Sequence, residues 1–468
     1  IGGTKMKEKK AMKIPHPYII IFFIIVVSAV LTWILPSGAF RREMNEALGR
    51  ALVVPGSYER IPSDPVGPWR LFECIYEGFV ASADISFFLL FACGYVGILM
   101  KSGTLNALVG AILRRMKDKD YLLIPIFTCL FAIGGATFGM HEEAWGFIPL
   151  FVAIALSLGY DRVVGAGIVE LGTVTGCAGA IFNPFNVGIA SGIAGVPLTT
   201  PVLTVFRCVT LVIFTACTTL YLMHYAAVIK REPHKSVLYG VKEEAVSMSR
   251  EEMLALPFSG RQKVTLALFG LLIAALAVGV TKYGFYLTEL AALFLCFMIV
   301  TGFVNQMNVT GLAEAFIESS KGMIFAVLMI GFARSIEVIL TQGGIIDTVV
   351  LWMANLVQSL PRGLSAFGML SVQNIVNMFI PSGTGQAVVM IPIMAPLADL
   401  VGLSRYIAIM AFQFGDAFSN VFWPTAVAIT CGVMGIGMDR WIKFVAKLFG
   451  IMFVLQAVML TIAVAIGI

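Results

Sequence analysis

Charge is scarce in this chain: Asp, Glu, Lys and Arg make up 13% of its 468 residues, against 59% hydrophobic residues. A soluble domain covers its core with roughly twice that share of charge, about a quarter of its residues, so a soluble domain is excluded. Histidine is rarer still, with four in the chain, and the eight cysteines are scattered without a CxxC or a Cys/His cluster. Such spacing assembles no zinc site, and the cysteines read as small core residues. "HEEAW" (141–145) lacks the second histidine of HExxH, which leaves a zinc intramembrane protease without a ligand set. No GxxxxGK[ST] loop occurs, and no Lys/Arg run is interleaved with aromatics to suggest nucleic acid. Tyr160-Asp161 and Gly415-Asp416 invite comparison with intramembrane aspartyl proteases. However, Gln413 stands where GxGD needs its first glycine, and Asp161 lies at a helix end.

What is abundant is apolar sequence in segments of about twenty residues, recurring from Pro17 to the C-terminus, each long enough to cross a bilayer as a helix. They predict an all-α polytopic protein whose surroundings are lipid. The first run, "PYIIIFFIIVVSAVLTWILP", is too long for a signal h-region and reads as a retained helix. Lys5, Lys7, Lys9, Lys10 and Lys13 put the N-terminus inside, and "LRRMKDKD" (113–120), after helix 84–100, agrees. Together with a thirty-residue polar, Pro-rich loop after the first helix, these segments open a first unit, 14–229. It holds a re-entrant hairpin (121–158) broken by Gly134, Gly135 and Gly139, a helix (163–196) interrupted at Asn183-Pro184, and a returning helix (202–229). A polar cytoplasmic linker (230–262) and a linking helix (263–281) lead to a second unit, 285–468, with helices 285–305 and 321–340, a hairpin (363–400) and a broken helix (406–437). The amphipathic stretches 104–118 and 343–358 read as interfacial helices, and Gly188 with Gly192 as a GxxxG for close packing.

The second unit repeats the first. Pro149, Gly159, Arg162 and Gly172 match Pro392, Gly402, Arg405 and Gly415 at an offset of 243. After a three-residue slip, Phe182, Pro184, Gly192 and Gly195 match Phe422, Pro424, Gly432 and Gly435. Counting crossings makes the first hairpin enter from inside and the second from outside. Two repeats of inverted topology, each with a re-entrant hairpin and a broken helix, belong to secondary transporters whose sites lie at the midplane breaks.

The candidate substrate or ion site is built from those breaks and hairpin tips: His141, Glu142, Glu143, Glu170, Thr173, Asn183, Asn186, Ser382, Thr384, Gln386, Gln413, Asp416, Ser419 and Asn420. Offset 243 sets Glu143 against Gln386, Glu170 against Gln413 and Thr173 against Asp416, so acids in one unit meet amides or hydroxyls in the other. Carboxylates at membrane depth are costly, about 3 kcal/mol each on insertion scales, and mark function by default. Bland readings stand beside this one. Glu142 and Glu143 also suit the cap of a helix N-terminus, His141 suits a hydrogen-bonding neighbour of Glu142, and Arg334 either holds a carboxylate or pairs with Glu337.

The stretches "FGMHEEAWGFIPL", "NPFNVGIASGIAGVPL", "PSGTGQAVVMIPIMAPLADLVGLSR" and "FQFGDAFSNVFWPTA" together resemble the YfcC family, related to the anaerobic C4-dicarboxylate carriers of the ion transporter superfamily. The resemblance covers nearly the whole chain. It implies a multi-pass secondary transporter of the bacterial inner membrane, homodimeric and elevator-like, with no enzymatic activity and no cofactor beyond a coupling Na+ or H+. Family members are assigned to basic amino acid exchange, such as arginine for ornithine, and to carboxylate uptake. Two positions depart from the family pattern: Trp423 is bulkier than the aliphatic residue expected before its proline, and Glu170 replaces an apolar or small residue. Four acids and few bases in the membrane core favour a cationic small molecule; a Na+- or H+-coupled carboxylate is the alternative.

Overall fold

Apolar side chains cover the outside of this molecule as well as filling its core, and polar ones are buried among them. In the first helix, α1 (Pro17–Ile34), Phe23, Val30 and Trp33 are exposed while Ser28 and Thr32 are buried. Lipid rewards that arrangement, since backbone polar groups must be satisfied internally. The computed structural model describes residues 17–46, 50–116, 119–241 and 258–468; the N-terminal lysines and residues 242–257 of the linker lie outside them.

The expected polar loop after α1 is organised. Strand β1 (Gly38–Ala39) pairs antiparallel with β4 (Glu59–Arg60), and β2 (Arg42–Asn45) with β3 (Arg50–Val53), Arg42 opposite Val53. α2 (Pro68–Ala81) follows, then α3 (Ala83–Lys101) and α4 (Thr104–Met116). The anchor of this region is the buried carboxylate of Asp347, which accepts two hydrogen bonds from the Arg42 guanidinium, at 2.8 and 2.9 Å, and one from the Phe40 N–H at 2.9 Å. A residue 305 positions away does this work, so the local sequence reads only as loop.

The first hairpin comprises α5 (Leu123–Thr137), the short α6 (Glu142–Trp145) and α7 (Ile148–Ser157). At ten residues α7 spans about 15 Å, half a hydrocarbon core, so it is too short to cross by itself. Helix α8 (Arg162–Ala178) starts where Asp161 accepts the Val164 N–H at 3.1 Å and stops short of Pro184, which has no N–H to continue it. Residues Pro184–Gly188 form a π turn leading into α9 (Ile189–Ala194), and α10 (Pro201–Arg231) returns. α11 (Gly260–Tyr283), α12 (Leu287–Val304) and α13 (Val309–Gln342) follow, the last being longer than its apolar core 321–340 suggests, since Asn308 caps it by accepting the Gly311 N–H at 2.7 Å. Then come α14 (Ile346–Gln358), the second hairpin of α15 (Arg362–Asn377) and α16 (Gly383–Leu400), the pair α17 (Arg405–Ser419) and α18 (Pro424–Met434), bent by 43°, and α19 (Met438–Ala465).

Among the described residues seven helices are long and apolar enough to cross a membrane, or eight if the bent pair counts as one. The chain is an all-α polytopic membrane protein, and among the described residues the only strands are the short pairs between α1 and α2. Two packing groups stand out. α2 and α3 pack with α13, α3 also with α12, and α1 with α13; the hairpins pack on α8 and α17, with α10 and α19 alongside. Matched positions behave alike: Gly159 and Gly402 both end a hairpin at positive φ, +77 and +72, and Asp161 and Ser404 both cap the next helix. The ends of α9 and α18 are treated alike as well. The Arg405 guanidinium donates to Ala194 O at 2.7 Å beside Gly195, and a Cβ on Gly435 would stand 3.1 Å from Nη1 of Arg162.

Close packing falls elsewhere than Gly188 and Gly192, because Gly188 sits in the π turn and Gly192 is exposed. Gly172 and Gly176 supply it, where α8 presses on α5: a Cβ would stand 2.9 Å from Thr128 O and 2.1 Å from Ala132 O respectively. Gly176→Ala therefore overpacks the pair by about 1–3 kcal/mol, seen as a lower apparent Tm of the detergent-purified protein. Gly450→Ala, with no atom near its Cβ, leaves Tm unchanged.

Candidate functional site

Where a helix breaks in the membrane, freed N–H and C=O groups need partners. At the first break the Asn183 side chain accepts the N–H groups of Phe185 and Asn186 at 2.9 and 3.1 Å and donates to Gly135 O of the first hairpin at 3.1 Å. At the second, Trp423 makes the matching tie, its indole donating to Asn374 O of the second hairpin at 2.6 Å. The Gln413 amide then crosses between the halves, donating to Ala178 O and Ala180 O at 2.7 and 3.1 Å. Asn377 collects the end of α17, donating to Asp416 O, Ser419 Oγ and Asn420 Oδ1 within 3.0 Å.

These ties leave a polar cavity of about 60 Å³ between the hairpin tips and the breaks. Nine of the fourteen candidates line it: His141, Glu142, Glu143, Asn183, Asn186, Ser382, Thr384, Asp416 and Asn420. Five stand behind it. Glu170 accepts from Trp145 and Thr430, Thr173 donates to its own helix at Val169 O, Gln386 donates to Gln373, Gln413 holds the break and Ser419 is bound by Asn377. The matched amides thus bond the frame, whereas Glu143 faces the cavity.

The two halves close on the cavity together. Asn186 Nδ2 donates to Asp416 Oδ2 at 2.8 Å, and Thr384 Oγ1 on the second hairpin donates to Phe185 O at 3.1 Å. Gly383 approaches so closely that a Cβ there would stand 3.0 Å from Asp416 Oδ2. Glu143 also accepts the His141 N–H at 2.9 Å, so the capping reading and the cavity reading hold at once. His141 Nδ1 lies 3.5 Å from Glu142 Oε2. Among the described residues no lysine or arginine lines the cavity, and Arg334 lies apart, paired with Glu337 at 2.5 Å. Asp416 Oδ1 and Asn186 Oδ1 are buried without a hydrogen-bond partner among the described residues.

A model of the C4-dicarboxylate anaerobic carrier family matches residues 14–465. The chain belongs to that family. Over 97% of its length it is 30% identical to 97% of YfcC of Escherichia coli (strain K12), provisionally named a basic amino acid antiporter. It is 29% identical to an uncharacterised protein of Haemophilus influenzae, over 98% of this chain and 99% of that one. The YdaH transporter of Alcanivorax borkumensis aligns over 97% of this chain and 99% of its own at 16% identity and a TM-score of 0.45. MtrF of Neisseria gonorrhoeae aligns over 97% and 96%, at 17% and 0.43. Family membership makes this chain a membrane transporter.

Sequence reading misses Phe185, Cys177 and Tyr286 among the lining residues. Tyr286 comes from the start of α12, its ring 5.4 Å from that of Phe185, and no local pattern announces that contact. Asn377 had a signal: Gln373, Asn374 and Asn377 are three amides in one apolar hairpin arm. Since Gln413 bonds the frame, Gln413→Met leaves two carbonyls short of a donor at a cost of about 1–3 kcal/mol. The expected result is a lower apparent Tm with an unchanged KM in the folded fraction.

Proposed function

We propose that this chain is a secondary transporter of a small cationic metabolite, with basic amino acid exchange of the arginine–ornithine kind as its activity. The observation that carries this is the cavity lining: Glu142, Glu143 and Asp416, with His141, and no lysine or arginine. An anionic substrate would need a positive partner there, whereas a guanidinium or ammonium group meets three carboxylates. The provisional name of the Escherichia coli relative points the same way.

The working cycle follows from the repeat. Arg405 reaches the end of α9, and Arg162 stands against the end of α18, so matched residues exchange partners between the halves. A twofold relation produces such exchanged contacts; a translational repeat does not. That supports inverted repeats, with hairpins and broken helices moving as a body against the group around α3 and α13, in an inner membrane with the N-terminus inside.

A second reading has its own observation. Asp416 Oδ1 and Asn186 Oδ1 are unpartnered oxygens, and about 60 Å³ suits an ion better than an amino acid. In that reading the acids hold a coupling Na+ or H+ for a carboxylate, the substrate class in the family's description.

Counterflow into proteoliposomes separates the two. Ornithine-loaded vesicles without an ion gradient accumulate labelled arginine saturably, and Asp416→Asn or Glu143→Gln lowers that uptake at least about tenfold, the loss of one charge-assisted contact, while the variants still purify as folded protein. Absent arginine uptake, with succinate entry driven by sodium or protons, overturns the exchange reading in favour of the second.

A further inference from the structure

Glu170 is set apart from the cavity by more than distance in sequence. It is 2% exposed, in the middle of α8, and it joins three elements: Trp145 Nε1 of α6 donates to Oε2 at 3.1 Å, and Thr430 Oγ1 of α18 donates to Oε1 at 3.3 Å. Both of these partners are neutral. The titratable groups nearest to it are His141 and Glu142 at the start of α6, with the thiols of Cys177 on its own helix and Cys431 on α18. α5, α7 and α18 contain no charged residue. On α17 the acid is Asp416, committed to Asn186, and on α10 the buried Arg207 is turned to Leu198 O. No lysine or arginine is therefore at hand to hold a permanent carboxylate, which at this depth needs such a partner or a proton.

The Thr430 hydroxyl is what lets the site exist in two forms. Its oxygen lies 3.3 Å from Glu170 Oε1 and 3.4 Å from Ala426 O. With Glu170 ionised, the hydroxyl donates to Oε1. With Glu170 protonated, the carboxyl O–H donates to Thr430 Oγ1, whose own hydrogen turns to Ala426 O. One rotation about a C–O bond satisfies both states, with Trp145 bonded in each. From the geometry we infer that Glu170 is a proton-exchange site separate from the substrate cavity, taking up and releasing one proton per cycle as a single O–H bond is made and broken. His141 stands between Trp145 and the cavity: its ring is 5.5 Å from that of Trp145, it lines the cavity, and its Nε2 is buried without a hydrogen-bond partner among the described residues. Trp145 sits in the same short helix as Glu142 and Glu143, so the charge state of Glu170 bears on the hairpin tip that carries them. This adds a proton site to the exchanger proposed above and rests on that reading: exchange runs without a proton gradient, and the charge state of Glu170 sets its pH dependence.

The site is tested without any substrate, by infrared titration of the purified protein in lipid. The wild type shows a protonated-carboxyl band that titrates and is missing from Glu170→Gln. Thr430→Val leaves the ionised form one donor short and moves the midpoint of that band upward by at least about half a pH unit, and Trp145→Phe does likewise. In proteoliposomes, the pH dependence of counterflow flattens in Glu170→Gln. A Glu170→Gln spectrum identical to the wild type overturns the inference. If Glu170→Gln fails to fold, an unmoved midpoint in both Thr430→Val and Trp145→Phe overturns it. A titrating Glu170 band in a protein that moves neither arginine nor succinate leaves the proton site standing and defeats the transporter assignment instead.

Discussion

The hydrogen bond between Asn186 and Asp416 is the constraint around which the rest is arranged. It runs from the break in one half to the intact turn of a helix in the other, 230 positions away, on the wall of the cavity itself. A broken helix without such a partner exposes several amide groups to hydrocarbon, each worth several kcal/mol. The first break therefore needs the second half: Gln413 takes its carbonyls, Thr384 takes Phe185 O, and Asn186 takes Asp416. The cavity is what these cross-bonds enclose. A site made this way cannot be assembled by either half alone, and any motion that carries it must carry both breaks together.

Charge follows from the same frame. Glu142 and Glu143 occupy the start of α6, where the first free N–H groups favour negative charge, and Glu143 accepts one of them. Their depth in the protein is made tolerable by this backbone and by His141, without a lysine or arginine. Positive charge is kept at the helix ends instead, in Arg162 and Arg405, and at Arg42, which spends its guanidinium on Asp347. Among the described residues that line the cavity, the carboxylates of Glu142, Glu143 and Asp416 meet whatever enters without a lysine or arginine, and the buried guanidinium of Arg207 is held away from it at Leu198 O.

Much of this was readable from the chain. Long apolar runs set the helices, Pro184 and Pro424 with the glycines around them set the breaks, and acids at membrane depth marked the region of the cavity. Its lining was harder to read. Gln386, Gln413 and Glu170 obey the same pattern as Glu143 yet turn to the frame, because which face of a buried helix meets the cavity depends on packing against another half of the chain. Local pattern likewise said loop for residues 37–66, whose order comes from Asp347, and put close helix contact at Gly188, where the structure puts it at Gly172 and Gly176. These misses are long-range contacts, and of them Gly172 and Gly176 do leave a local trace, a GxxxG spacing in the chain.

Matched positions that differ in chemistry contribute unequally to the cavity. Gln413 has an amide to give, so it closes the carbonyls of the first break and becomes silent. Glu170, at the same register, has nothing to donate while ionised, so the corresponding bond cannot form and other residues must come to it. Trp145 and Thr430 do, one from a hairpin tip and one from the opposite half. The substitution of a carboxyl for an amide thus removes a structural bond and leaves in its place a group whose partners suit two charge states. The two halves place these residues at matched positions, and the proton site proposed at Glu170 falls where Glu and Gln differ.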